Sequence, residues 1–193
     1  MSFTEQLLQF DGNLLIGIQN LLNADWLTPI MKGVSGVCTA GAFSIILCAL
    51  LVAFKKTRKL GLVCTASLAL AFALCNLMLK PLVCRTRPWL LFPEVQVLAK
   101  PPKDASFPSG HAMNTMAVCF AWFMYTIREK GRMHNIGIAL VIFALLVGLS
   151  RLYLGMHFPS DVISGLLLGM LCATIMCQLF KKCEGRDKGL LKK

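Results

Sequence analysis

Five stretches of this chain, residues 33–54, 60–79, 112–127, 136–149 and 162–180, contain no Asp, Glu, Lys or Arg. A soluble helical core carries charge on the outward face of each helix, so a soluble domain is excluded. Three of the stretches reach the roughly 20 apolar residues that cross a bilayer as helix, and the two shorter ones reach it by borrowing flanking polar residues. With 56% hydrophobic residues and a mean hydropathy of +0.68, residues 1–193 read as a single domain, an all-α polytopic membrane helix bundle. Residues 1–26 lack Lys and Arg, which excludes the basic start of a signal peptide. Mid-helix charge is missing too, with only Asn76, Asn114 and Gln178 as amides inside the stretches, which argues against a transporter. Cysteine is plentiful, but CxxC and Cys/His ligand spacings are absent. Seven of the nine cysteines lie within apolar stretches and read as packing.

The charge that is present is unevenly placed. Thirteen of the twenty Lys and Arg fall in three groups: Lys55, Lys56, Arg58 and Lys59; Arg128, Lys130 and Arg132; Lys181, Lys182, Arg186, Lys188, Lys192 and Lys193. Each group abuts an apolar stretch, at alternate ends, as short cytoplasmic loops do. A nucleic-acid footprint would gather on one folded face, so the net charge of +11 does not point to nucleic acid. The pattern predicts five spanning helices and a basic cytoplasmic tail over residues 181–193. Ahead of them, Phe3, Leu7, Phe10, Leu14, Ile18 and Leu21 recur at three- and four-residue steps, with Glu5, Gln9, Asp11, Asn13 and Asn20 between. That spacing predicts an amphipathic interfacial helix within residues 1–26; the alternative is a sixth spanning helix. Gly165 and Gly169 form a GxxxG pair read as close packing inside the bundle. Cys84 and Cys183 fall on opposite sides of the membrane.

On the side away from the basic groups, three polar patches remain: Lys80 to Arg87-Pro88, Phe107-Pro108-Ser109-Gly110-His111, and Ser150-Arg151 followed by His157 and Asp161. A phosphoryl transition state spreads charge over three equatorial oxygens, and fixed cations with backbone N–H groups stabilise it. Lys80, Arg87 and Arg151 supply three cations, two of them guanidinium forks. Ser109, Gly110 and His111 open a helix whose free N–H groups bind anions, and Gly110 lets the backbone approach. Ser109 is free to cap that helix or to donate to phosphate. Two histidines suit the remaining tasks, one imidazole attacking phosphorus and the other protonating the leaving oxygen. Asp161, four residues after His157, is placed to accept its Nδ1–H and leave Nε2 free. His157 is therefore the expected nucleophile and His111 the expected general acid. Acidic residues number nine and show no DxD or paired-carboxylate spacing in the outer segments, so neither a metal nor another cofactor is expected.

These residues resemble the type 2 phosphatidic acid phosphatase superfamily, whose signature is K-x6-RP, then PSGH, then SR-x5-H-x3-D. Residues 80–161 match it without a departure. The resemblance implies a membrane lipid phosphatase with the same assignments: His157 nucleophile, His111 acid, Asp161 orienting, and Lys80, Arg87, Ser109, Gly110 and Arg151 holding phosphate. It also implies a lipid phosphate as substrate within the plasma membrane. Compact size and an outward-facing site favour undecaprenyl diphosphate, with phosphatidic acid and phosphatidylglycerol phosphate as alternatives. A vanadate haloperoxidase would share the pocket but would not need a hydrophobic bundle. Arg85, Lys100 and Lys103 read as headgroup contacts, Asp104 as bonded within its own loop, and His134 as structural.

Overall fold

The structure, a computed structural model, describes residues 3–22, 24–128 and 131–190, with side chains described over residues 4–22, 24–128 and 131–183. No strand occurs among these residues. Of the expected basic groups, Lys130, Lys192 and Lys193 lie outside the described residues, as do the side chains of Arg186 and Lys188.

Helix α1 spans Phe3–Leu22. α2 (Leu27–Val37) and α3 (Ala42–Ala53) form one apolar rod broken at Ala40 and Gly41, whose φ values are 53° and 74°. α4 (Arg58–Phe72) continues through a π-helical turn, Ala73–Leu79, into α5 (Lys80–Val83). α6 (Pro88–Leu91) follows, then α7 (Gly110–Thr126), α8 (Arg132–Tyr153) and α9 (Pro159–Leu190). Among the described residues, Leu27–Ala53, Arg58–Leu91, Arg132–Tyr153 and Pro159–Cys183 are long and apolar enough to cross a membrane. The fifth expected crossing corresponds to α7. At 17 residues it is the shortest of the set, about 25 Å long at ~1.5 Å per residue. α9 stays helical through Leu190, so the expected tail begins as a continuation of the last helix.

α7 is the axis of the bundle, packed against α9, α8 and α4. Ala112, Met113, Met116, Ala117, Val118, Cys119 and Ala121 are almost wholly buried along it. Outward-facing positions elsewhere are apolar, including Ile46, Leu62, Phe72, Ile142, Ile163 and Leu167. Lipid is as apolar as these side chains, so close packing rather than flight from water must hold the helices together. The GxxxG pair supplies it. A Cβ at Gly165 would stand 2.8 Å from the Ser109 carbonyl oxygen, and one at Gly169 would stand 2.5 Å from that of Met113. The seven cysteines of the apolar stretches are buried and unpaired in disulfides, whereas Cys84 and Cys183 are exposed, at opposite ends of the bundle.

α1 turns its two faces in opposite directions, the apolar stripe away from the bundle and part of the polar face toward it. Leu7, Phe10, Leu14 and Leu21 of its apolar stripe point outward, while Asp11, Leu15 and Gln19 pack inward. The Gln19 amide donates to the carbonyls of Gln96 and Tyr153, both at 2.9 Å, pinning the helix to the loop end of α8.

Candidate active site

Alternating helix directions bring the three polar patches to one end of the bundle. The π turn rotates the last turns of the second rod before Lys80, and the chain reverses at Cys84, which adopts φ 46°. Arg87 precedes a proline and is therefore extended, with φ −73° and ψ 148°. Ser109 accepts from Met113 N–H at 2.9 Å through its backbone oxygen, and its own N–H donates to the Asp161 carbonyl at 3.0 Å. This ties the start of α7 to the start of α9. Between Arg151 and His157 the chain turns at Gly155, with φ 72°, where a Cβ would lie 2.3 Å from the Gln96 carbonyl oxygen.

All eight expected residues gather here. Arg87 Nη1 lies 3.1 Å from His157 Nε2 and 3.3 Å from Nδ1, and donates to the Met156 carbonyl at 2.7 Å. The Asp161 carboxylate accepts from Ser106 Oγ at 2.5 Å and from Phe158 N–H at 3.0 Å. Its distance to His157 Nδ1 is 3.6 Å, within ion-pair range but longer than a hydrogen bond. Gly110 leaves its backbone open toward Lys80, whose Nζ lies 3.8 Å from where a Cβ would be. Ser109 Oγ and Arg151 Nε are buried and have no hydrogen-bond partner among the described residues, although Arg151 Nη1 donates to Ser35 Oγ. Ser109 therefore does not cap α7 with its side chain, and its hydroxyl is left for another acceptor or donor.

Two side chains depart from expectation. Asp104 does not bond within its own loop: it joins Lys80 through Oδ2 and Arg87 through Oδ1, the latter at 2.7 Å, while Arg87 Nε donates to its backbone oxygen at 2.9 Å. Arg85 is not a headgroup contact. It bridges Asp11 and Asp161, each at 2.6 Å, and lies 4.2 Å above the Phe158 ring. Ser106, Ser35 and Asp11 were invisible as site neighbours because each is joined to the site only through tertiary contacts.

The electrostatics follow from burial and charge. Burial lowers His157 to about 4, with Asp161 opposing and Arg87 adding to the shift, so the imidazole is neutral at neutral pH. Burial, followed by Arg151, His157, Lys80 and Arg87, lowers His111 to about 3. Burial would raise Asp104, but Lys80 and Arg87 outweigh it and hold the carboxyl below its usual range. No three His, Cys, Asp or Glu among the described residues form a ligand set. His111 stands where two cavities meet. One, about 590 Å³, is an apolar groove bordered by Cys38, Ile45, Leu68, Phe72 and Asn114 and reaching Lys80. The other, about 510 Å³, is a cup bordered by Lys32, Lys100, Lys103 and Arg151.

Fold and site define a polytopic helical bundle with a cationic, two-histidine pocket at one end. The chain belongs to the PAP2 superfamily, whose description matches residues 60–184. Undecaprenyl-diphosphatase of Sulfolobus acidocaldarius is 36% identical over 133 residues, covering 68% of this chain and 60% of that enzyme. Phosphatidylglycerophosphatase B of Bacillus subtilis is 32% identical over 164 residues, covering 78% and 74%. Among solved structures, the transmembrane phosphatidylglycerolphosphate phosphatase of Bacillus subtilis aligns with a TM-score of 0.75 at 25% identity, over 93% of this chain and 89% of that one. Aquifex aeolicus LpxE aligns with a TM-score of 0.62 at 26% identity, over 86% and 93%.

Proposed function

We propose that the chain hydrolyses a lipid phosphate or pyrophosphate through a phosphohistidine, with undecaprenyl diphosphate as the favoured substrate. The observation that carries this reading is His157, buried between Arg87 and Asp161 at the end of the bundle where His111 borders both a lysine-lined cup and an apolar groove. Substrate oxygens replace the Asp104 carboxylate on Lys80 and Arg87. Arg151 Nε, Ser109 Oγ and the free N–H groups of α7 take the others. His157 Nε2 bonds to phosphorus as the bond to the leaving oxygen breaks, and that oxygen takes a proton from His111. A bound phosphate dianion offsets the cations around His111, so the residue gains its proton with substrate in place. Water then gives a proton to His111 and its oxygen to phosphorus, the N–P bond breaks, and inorganic phosphate leaves.

A diphosphate fits the charge of the pocket better than a monoester does. Arg85 is committed to Asp11 and Asp161, so the cations that add to Lys80, Arg87 and Arg151 are Lys32, Lys100 and Lys103 of the cup. The basic groups Lys55–Lys59 and Lys181–Lys182 lie at the other end of the bundle, which supports five crossings and an outward-facing site. The glycerolipid alternative draws support from the extent of the alignment with the Bacillus phosphatidylglycerolphosphate phosphatase. A panel of polyprenyl diphosphate, phosphatidic acid and phosphatidylglycerol phosphate in matched micelles decides between them by kcat/KM. A tenfold lead for either glycerolipid, about 1.4 kcal/mol, overturns the diphosphate while leaving lipid-phosphatase chemistry in place.

A further inference from the structure

α1 lies outside the segment matched by the family, yet it reaches the catalytic aspartate in one step. Asp11 is 7% exposed, and its carboxylate is fully engaged. Oδ1 accepts from Ser160 N–H at 3.0 Å, while Oδ2 accepts from Ser160 Oγ and from Arg85 Nη2, the latter at 2.6 Å. Arg85 Nη1 in turn donates to Asp161 Oδ1 and to Ser160 Oγ, both at 2.6 Å. Phe158 supports the guanidinium from beneath. The remaining Asp161 oxygen faces His157.

We infer that Asp11 and Arg85 are positioning residues for the phosphotransfer: the N-terminal helix holds the arginine that holds the aspartate that orients the nucleophile. This rests on the proposed role of His157. Arg85 alone would place an unbalanced cation next to Asp161, weakening its support for the positive charge that develops on a phosphorylated imidazole. Asp11 balances that cation and fixes its direction, leaving the cluster of Asp11, Arg85 and Asp161 with a net single negative charge. None of these three side chains borders either cavity at His111, so their loss acts on turnover and not on binding.

The test compares Asp11→Asn, Asp11→Glu, Arg85→Lys, the Asp11→Asn/Arg85→Lys double variant and Gln19→Ala in detergent-purified protein, with kcat and KM expressed per folded molecule. Asp11→Asn is expected to lower kcat about tenfold with KM within twofold, and Asp11→Glu to recover part of the loss. Arg85→Lys, whose single ammonium spans the two carboxylates poorly, is expected to match Asp11→Asn. The double variant is expected to fall no further than either single one, because both act through one connection. Gln19 anchors the same helix without touching the relay, so Gln19→Ala is expected to lower thermal stability and leave kcat within twofold. Equal kcat losses in Asp11→Asn and Gln19→Ala, a rise in KM at constant kcat, or multiplicative losses in the double variant would each overturn the inference. Failure of the wild-type protein to hydrolyse any lipid phosphate, or full activity in His157→Ala, instead removes the underlying reading.

Discussion

The two ends of the bundle are both rich in Lys and Arg, but they handle that charge differently. At the basic end, Lys55, Lys56, Arg58, Arg128, Arg132, Lys181 and Lys182 are exposed, and Arg58 donates to the Val52 carbonyl at 3.1 Å to close the end of α3. At the other end, Arg87 and Arg151 are buried, and Arg85 is largely so. Each is aimed by side chains that come from distant parts of the chain. Exposed cations keep their water and lose little by being moved. Buried cations are stable only with partners in place, and removing one partner from such a pair typically costs about 3–5 kcal/mol. Cation burial, and not cation number, therefore separates the end to which the proposed chemistry is assigned from the other.

Substitutions at both ends put that contrast to work. His157→Ala is expected to have the largest effect, lowering phosphatase kcat by about a thousandfold or more, measured by phosphate release at saturating substrate. Near-wild-type turnover in a folded variant would break the comparison at its root. The same position carries a signature in stability. Between about 4 and the usual imidazole value of 6.5, the unfolded chain binds more protons at His157 than the folded one, so stability rises with pH across that window and falls on acidification. Thermal unfolding of His157→Gln should show a shallower slope there. Arg87→Lys comes next, with kcat/KM expected to fall about 100-fold, because one ammonium cannot serve His157, the Met156 carbonyl and phosphate together. Asp104→Asn should act in the opposite sense on anion binding. Without the carboxylate bridging Lys80 and Arg87, orthovanadate is expected to inhibit about tenfold more tightly, and an unchanged or weaker inhibition constant would remove Asp104 from the anion position. At the basic end, the Lys55→Gln/Lys56→Gln pair is expected to leave kcat/KM within about twofold.

Much of this was legible from residue order alone. Uncharged runs separated by basic groups reveal a polytopic bundle because bilayer thickness and loop charge act on contiguous segments. The three motif patches were equally legible, since each is local and only their convergence needed a fold. What could not be read is partnership across elements. Asp11 sits in an amphipathic pattern in which an acid belongs on the watery face, and nothing in its neighbours announces that Arg85 and Ser160 come to meet it. Asp104 looked like a loop residue because its partners are Lys80, 24 positions away, and Arg87, 17 positions away. α7 was legible as a helix but not as the axis, because burial on every side depends on α4, α8 and α9 closing around it. The outward turn of the α1 apolar stripe is a further case: periodicity marks two faces but does not say which one meets protein.

The meeting of the two cavities at His111 has a consequence for the direction of the proposed reaction. Cleavage there would release a lipid product toward the apolar groove and inorganic phosphate toward the lysine-lined cup. One product then diffuses in two dimensions within the bilayer and the other in three dimensions through water. Re-synthesis requires both to return to the same pocket from different solvents, at concentrations set by different volumes. Partition between phases thus biases the chemistry toward hydrolysis, and dilution of phosphate into bulk water empties the pocket for the next lipid.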